Sequence, residues 1–224
     1  MKKTRIDRCD CTVNPVVGCP NGCRYCYARK INSRFHFIEK WNEPQFFPER
    51  LKQFTAKKPQ TVFVDSMSDV GCWEQEWFDE VLRATQNNPQ HKYIFLTKRP
   101  HDVLILRNNY YAKNPKVLHN VYFGITATCV MDIMEQPDAK YFDFISIKPI
   151  LNKMFIPKWL KDSNIKTVII GAETGNRKGK VIPKTQWIRE LAAQADEIGM
   201  KVFMKESLRS IMDNDFRQDL DIWR

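Results

Sequence analysis

The sequence predicts an α/β fold built on a parallel sheet, and two features support this class. From residue 61 onward, short runs of β-branched and aromatic residues alternate with longer amphipathic segments. Strands that form continuous apolar runs between helices are typical of a parallel sheet covered on both faces. The chain has 224 residues, of which 43% are hydrophobic, so it can bury a sizeable core. We therefore expect one domain spanning residues 1–224.

The amino-terminal part is predicted to hold one strand, one helix and a long irregular connection. Residues 1–10 form a basic, flexible lead-in. The following helix carries Ala28, Ile31 and Phe35 at the spacing of one buried face. Prolines and aromatic residues then indicate a connection over residues 39–59. The elements predicted in this part are a strand at Thr12–Val17, a helix at Tyr27–Phe37 and a short helix at Glu49–Phe54.

The remainder of the chain is predicted to alternate strands and helices. The strands are expected at Thr61–Val64, Tyr93–Leu96, Val121–Ile125, Phe142–Ile147, Thr167–Ile170 and Lys201–Met204. The helices are expected at Trp77–Thr85, His101–Asn109, Val130–Glu135, Pro157–Lys161 and Thr185–Ile198. Residues 207–224 are expected to pack across the open edge of the sheet, because an unclosed sheet leaves a strand edge to cover. An open doubly wound sheet and an incomplete (β/α) barrel share this pattern.

Three closely spaced cysteines follow the first predicted strand. Cys19, Cys23 and Cys26 have the spacing C-x3-C-x2-C. Thiolates are ligands that iron prefers, so a tight loop can hold three corners of a [4Fe-4S] cluster and leave the fourth iron open to a small chelating molecule. Tyr25 lies just before the last cysteine and offers a flat face on which an adenine can stack.

Other uses of these cysteines are also compatible with the sequence. Only Cys23 and Cys26 form a C-x2-C pair, so a zinc site would need a fourth ligand from Cys9, Cys11, Cys72 or a histidine. The thiols can also be purely structural. A disulfide framework does not suit seven cysteines in a chain whose first residues are charged and lack an apolar signal segment. No apolar run approaches the ~18 residues of a membrane helix, and we expect a cytoplasmic protein without a membrane partner.

The cysteine pattern resembles that of the radical S-adenosylmethionine superfamily. The wider strings Asn14-Pro15-x-x-Gly18-Cys19, Cys26-Tyr27-Ala28 and Asp65-Ser66-Met67-Ser68-Asp69 are similar to those of a small branch found in phages and mobile elements. This resemblance covers nearly the whole chain. It implies a partial (β/α)6 barrel with an additional closing strand and a carboxyl-terminal tail.

The same resemblance implies an enzyme with two cofactors, a [4Fe-4S] cluster and S-adenosyl-L-methionine. Such enzymes cleave S-adenosylmethionine reductively and use the 5′-deoxyadenosyl radical to abstract hydrogen from a substrate. The cluster ligands implied are Cys19, Cys23 and Cys26. The chemistry also calls for a one-electron reductant of flavodoxin or ferredoxin type.

Further site residues are predicted at the carboxyl ends of the strands, where α/β barrels place their working groups. By resemblance, the loop with Ser66, Ser68 and Asp69 binds the methionine amino group, and Gly171 lies where the adenine is read. Glu173 is then expected to bind ribose or substrate, and Thr126 to bind ribose or a carboxylate. Ser68 and Asp69 are also suitable as helix N-caps.

Basic residues also follow these strands, and they bear on the substrate. Lys98, Arg99, Lys148 and Lys205 stand at three strand ends, with Arg177 and Lys178 in a nearby loop, and the chain has a formal net charge of +10. This favours a nucleotide or nucleic-acid substrate. The alternative to an enzyme is a non-catalytic nucleic-acid-binding module that zinc or an iron-sulfur cluster stabilises.

Overall fold

The computed structural model describes residues 2–4, 6–135 and 137–219. The chain divides into two compact units, Met1–Tyr122 (unit 1) and Phe123–Arg224 (unit 2). Each unit combines helices with strands that pair mostly in parallel. The predicted α/β class with a mainly parallel sheet is therefore confirmed. The partial (β/α)6 barrel and the single domain stay predictions.

Unit 1 has a sheet in which β1, β2, β5 and β6 lie side by side in that order, and a separate antiparallel pair of β3 and β4. Within the sheet, β2, β5 and β6 are parallel, and only β1 runs antiparallel to its neighbour. The strands are β1 (Lys2–Lys3), β2 (Cys11–Val13), β3 (Val16–Val17), β4 (Gln45–Phe46), β5 (Thr61–Val64) and β6 (Lys92–Thr97). The helices are α1 (Tyr27–Phe35), α2 (Gln75–Gln86) and α3 (Pro100–Lys113), with 3-10 turns at Pro48–Thr55 and Val70–Cys72.

Three predictions for the amino-terminal part need correction. The strand expected at Thr12–Val17 is split, because β3 leaves the sheet and pairs with β4. Helix α1 ends at Phe35, where His36 adopts a left-handed conformation with φ of 50°. The side chain of Phe35 is 57% exposed, so its predicted burial is wrong, whereas Ala28 is buried as expected.

Unit 2 holds a four-stranded parallel sheet in the order β7, β8, β9 and β10. The strands are β7 (Val121–Ala127), which begins in the last residues of unit 1, β8 (Phe144–Ile147), β9 (Thr167–Ile170) and β10 (Lys201–Met204). The helices are α4 (Met131–Met134), α5 (Thr185–Glu197) and α6 (Arg209–Met212). Short 3-10 turns at Pro137–Tyr141, Lys158–Asp162, Glu206–Leu208 and Asp213–Asp215 complete the unit.

The carboxyl-terminal segment covers the free edge of β10. The backbone N–H of Met204 donates to the carbonyl of Arg217 at 2.8 Å, and Asp219 N–H donates to the carbonyl of Val202 at 2.9 Å. These bonds satisfy polar groups that an open strand edge leaves unpaired. The remainder of the predicted tail, residues 220–224, lies outside the described residues. Among the described helices, none has the length and apolar composition required to cross a membrane.

Candidate metal and cofactor site

The cysteine loop, residues 18–28, is anchored in unit 1 by its first two residues. Gly18 N–H donates to the carbonyl of Met67 at 3.0 Å, and Cys19 N–H donates to that of Trp41 at 2.7 Å. Gly18 has φ of +112°, and a Cβ there would lie 2.8 Å from Ile38 Cδ1 and 2.9 Å from Pro44 Cα. Only glycine fits at this conformation and this close approach.

The last cysteine of the loop begins helix α1. Cys26 is the N-cap, and its Sγ accepts a hydrogen bond from the N–H of Arg29 at 3.3 Å. The Arg29 guanidinium also donates to the carbonyl of Cys23 at 3.2 Å. Burial raises the pKa of Cys26, and the nearby Cys23 and Cys19 add to this effect. The three sulfurs therefore lie close enough to influence one another electrostatically.

The first cysteine has a neighbour that the motif does not contain. The thiol of Cys72, in the turn after β5, donates to Asn21 Oδ1 at 3.7 Å, which places its sulfur beside the cysteine loop. The proximity of this thiol lowers the pKa of Cys19 and raises that of Cys72. Cys19 is thus favoured as thiolate, the form that binds metals. The sequence offered Cys72 as one of several candidate zinc ligands, and the 52 residues between Cys19 and Cys72 conceal their proximity.

Asn21 connects the middle of the loop to the ends of β5 and β6. Its side-chain amide donates to Asp69 Oδ2 at 2.7 Å and accepts from the Arg99 guanidinium at 2.8 Å. Asp69, 6% exposed, also accepts from Gly71 N–H, Thr97 Oγ1 and Lys98 N–H, at 3.0, 2.6 and 2.9 Å. A carboxylate has about four acceptor positions. Asp69 therefore holds the three segments together, and its predicted contact with a cofactor amino group stays a prediction.

The two serines of the same loop differ in what they can still bind. Ser68 Oγ accepts from Trp73 Nε1 at 2.7 Å and hydrogen bonds to Asp65. Ser66 Oγ donates to Asn14 Oδ1 at 3.0 Å, so its lone pairs can accept from an ammonium group. Asn14 therefore positions Ser66. The sequence motif that contains Asn14 gave no sign of this role.

Tyr25, predicted as the adenine platform, meets a predicted substrate contact. The ammonium of Lys98 hydrogen bonds to the Tyr25 hydroxyl and lies 5.1 Å from the centroid of its ring. Arg99 holds Asn21 and forms an exposed ion pair with Asp102 at 3.6 Å. The structure thus brings both basic residues of the β6 end to the cysteine loop.

In unit 2, the predicted residues Lys148 and Lys205 flank the end of β9. A Cβ on Gly171 would lie 3.1 Å from Cδ of Lys205 and 3.2 Å from Cδ and Cγ of Lys148. The glycine therefore leaves room for both aliphatic stems across the strand end. The two lysines, which follow the strands on either side of β9, fit the predicted anionic ligand.

The acidic and hydroxyl residues predicted in unit 2 have structural partners. Glu173 is bound by Arg177 through two hydrogen bonds of 2.6 and 2.8 Å, which lower the pKa of its carboxyl. This ion pair joins two residues of the same loop after β9, four positions apart. Thr126 is buried within β7, and Thr128 donates to Asp132 at 2.9 Å at the start of α4. That these residues and the polar residues of unit 1 meet at the carboxyl-terminal face of a single barrel stays a prediction.

The donor set of the cysteine loop suits a [4Fe-4S] cluster. Cys19, Cys23 and Cys26 are free and partly exposed on one anchored loop. Within residues 2–4, 6–135 and 137–219, no group of three or more His, Cys, Asp or Glu side chains is arranged to hold a metal ion. A cluster requires a different arrangement from that of one ion, because each thiolate binds a separate iron.

Comparison with known proteins places the chain in a family. The family described as "Protein of unknown function (DUF5131)" matches residues 3–214. The chain belongs to this DUF5131 family. Its match spans both units and includes the cysteine loop, the β5 and β6 ends and the two lysines beside Gly171. No curated protein matches the chain.

Proposed function

We propose that this DUF5131 protein is a radical S-adenosylmethionine enzyme. The observation that carries the proposal is the anchored loop with three free, partly exposed cysteines, Cys19, Cys23 and Cys26. If Cys19, Cys23 and Cys26 held a [4Fe-4S] cluster, an external one-electron donor could reduce it, and the cluster would supply the chemistry for cleaving S-adenosylmethionine into methionine and a 5′-deoxyadenosyl radical. The remaining steps concern the residues of this chain.

Residues of unit 1 are suited to position the cofactor. Tyr25 offers its ring to the adenine, and Lys98 fixes the orientation of that ring through its hydroxyl. Ser66 Oγ can accept from the methionine amino group, because its proton is directed to Asn14. Asn21 and Asp69 hold the cysteines at the ends of β5 and β6. In this assignment, Ser68 and Asp69 support the loop and do not touch the cofactor.

The substrate we propose is a nucleotide or a nucleic acid. Lys148 and Lys205 lie on either side of Gly171, and two ammonium groups at the ends of β8 and β10 can bind a phosphate. Adding DNA, RNA or nucleotides to the reaction described next should stimulate turnover of S-adenosylmethionine.

The test of the proposal is anaerobic reconstitution with iron and sulfide, followed by reduction in the presence of S-adenosylmethionine. The wild-type protein should bind about four irons and form 5′-deoxyadenosine. The triple variant Cys19→Ala, Cys23→Ala, Cys26→Ala should lose both properties. Cys129→Ala, which removes a partly exposed cysteine of unit 2, serves as the matched control. Equal product from the triple variant would refute the proposal.

A second candidate function follows from the contact between Cys72 and Cys19. Four thiols can form a closed, non-catalytic metal site that stabilises a nucleic-acid-binding protein. Cys72→Ala separates the two functions. A site with three ligands keeps its iron and its 5′-deoxyadenosine production in this variant, whereas a site with four ligands loses its metal. Zinc bound at one equivalent and released by Cys72→Ala would favour the second function.

A further inference from the structure

Helix α1 presents a basic and aromatic stripe, whose first residue, Tyr27, also donates its hydroxyl to the carbonyl of Ser66 at 3.1 Å. Tyr27, Lys30 and Arg34 are exposed at positions i, i+3 and i+7, so they follow one another along the helix surface. Phe35, in the last turn, and Phe37, just after the helix, adjoin Arg34 and are 57% and 47% exposed. We call these five residues the α1 stripe. Large exposed apolar side chains next to one another are typical of interaction surfaces.

The stripe is held in a fixed conformation. The side of α1 that carries Ala28 is packed near the start of the helix, because Ala28 belongs to a buried cluster with Val17, Ile38 and Met67. The side chain of Asn32 exchanges two hydrogen bonds with the backbone of Ile38, at 3.0 and 3.1 Å, and this fixes the chain after the helix. Phe35 and Phe37 stack with centroids 5.9 Å apart. A partner therefore meets a preorganised surface, which reduces the entropy lost on binding.

The charge of this surface specifies an acidic partner. From Cys11 to Ile38 the sequence contains no aspartate or glutamate, whereas it contains Arg24, Arg29, Lys30 and Arg34. In the described part of the chain, Lys30 and Arg34 form no ion pair. Arg34 lies over the Phe35 ring, 5.1 Å from its centroid. Arginine and aromatic residues are enriched in protein interfaces, and complementary charge accelerates association.

The position of the stripe relates it to electron delivery. Its first residue, Tyr27, directly follows Cys26, and the helix of nine residues extends about 13 Å from there. A protein interface of ordinary size covers about 800 Å² on each partner, which is a patch about 30 Å across. A protein seated on the stripe would thus also cover the cysteine loop. Resting on the proposed function, we infer that the α1 stripe is the docking surface for a small acidic electron-transfer protein that reduces the cluster.

A nucleic acid is the rival occupant, because it is also acidic. Nucleobases stack on open aromatic faces. Here the Phe35 ring already stacks on Phe37 and carries the Arg34 guanidinium. These contacts occupy ring faces that a base would need, so the geometry favours a protein.

The experiment compares two reductants with the cluster-loaded protein. The double variant Arg34→Glu, Phe35→Ala changes the stripe with residues that favour helix. Lys58→Glu is the control, since this exposed lysine precedes β5 and lies at the amino end of the strand, whereas the cysteine loop contacts residues after its carboxyl end. Production of 5′-deoxyadenosine is measured with dithionite and with reduced flavodoxin. Binding to flavodoxin, a [2Fe-2S] ferredoxin and a 20-nucleotide single-stranded DNA is measured by calorimetry at low and high salt.

The expected result separates the two reductants. The double variant should bind flavodoxin or ferredoxin at least about tenfold more weakly and raise the KM for the protein reductant accordingly. Its rate with dithionite should stay within about twofold of wild type, as should every measurement on Lys58→Glu. Wild-type binding should weaken with salt. Unchanged affinity in the double variant, no binding of wild type to either electron carrier, or loss of binding only to DNA would each overturn the inference. Absence of product from wild type with dithionite would instead overturn the proposed function.

Discussion

Asp69 offers the sharpest test of how the cysteine loop is held in place. Replacing it by alanine leaves four hydrogen-bond donors without their acceptor: Asn21, Gly71, Thr97 and Lys98. The amide of Asn21 is partly exposed and can turn to water, so the main loss comes from the other three. An unsatisfied buried donor costs about 1–3 kcal/mol. We expect Asp69→Ala to lower the free energy of unfolding by about 3–5 kcal/mol, near the upper limit for one substitution.

The assay is urea unfolding of the metal-free protein, with Asp102→Ala as the control. Asp102 has a side chain 46% exposed and only a 3.6 Å ion pair with Arg99, so its removal should cost under about 1 kcal/mol. Asp69→Asn should not rescue stability, because each carboxylate oxygen accepts from two donors and either one would become an amide nitrogen. A loss below about 1 kcal/mol in Asp69→Ala would refute this role.

Three more predictions concern buried residues that lie within a strand or directly after one. Burial raises the pKa of Asp65 from 3.8 to about 7, so between these values the unfolded chain is ionised while the folded protein holds the proton. Wild-type stability should therefore fall by about 1.4 kcal/mol per pH unit from pH 4 to 7 relative to Asp65→Asn; parallel stability profiles in urea titrations would contradict this. Gly124→Ala should destabilise by about 3 kcal/mol in thermal unfolding, because its Cβ would lie 2.2 Å from the buried Phe144 ring. Gly171→Ala meets only flexible lysine stems and should change stability by under about 1 kcal/mol.

The sequence was sufficient for the regular elements where local preference and burial agree. The runs Thr61–Val64, Thr167–Ile170 and Lys201–Met204 are strands with the predicted bounds, because β-branched and aromatic residues fill a buried pleated surface. Phe35 shows where periodicity fails. It lies on the side of α1 that also carries Ala28, but it belongs to the last turn, and its side chain is exposed. Periodicity reports which side a residue faces and not whether another element reaches that side.

The candidate site was predictable in its residue types and less so in their partners. Residues 65–69 and 98–99 were selected because they follow strands, and the structure places them beside the cysteine loop. The sequence could not show that Asp69 is saturated by donors 2 to 48 residues away. Nor could it show that Arg177 binds Glu173. Polar residues after strands are good candidates for ligand contacts, but hydrogen bonds within the protein decide which of them retain capacity.

The cysteine loop is fixed by protein contacts that need no metal. The backbone N–H of Gly18 hydrogen bonds to Met67, the side chain of Asn21 hydrogen bonds to Asp69, and Cys26 caps α1. In small zinc domains the metal supplies the folding energy, whereas here the sheet of unit 1 and its helices supply a core of their own. A preorganised cysteine loop suits a site whose metal must bind and release a small molecule such as S-adenosylmethionine. The cysteine donors then keep their positions when that molecule leaves. The contacts of Asn21 and Asp69 therefore favour a catalytic site with an open coordination position over a metal site that only stabilises the fold.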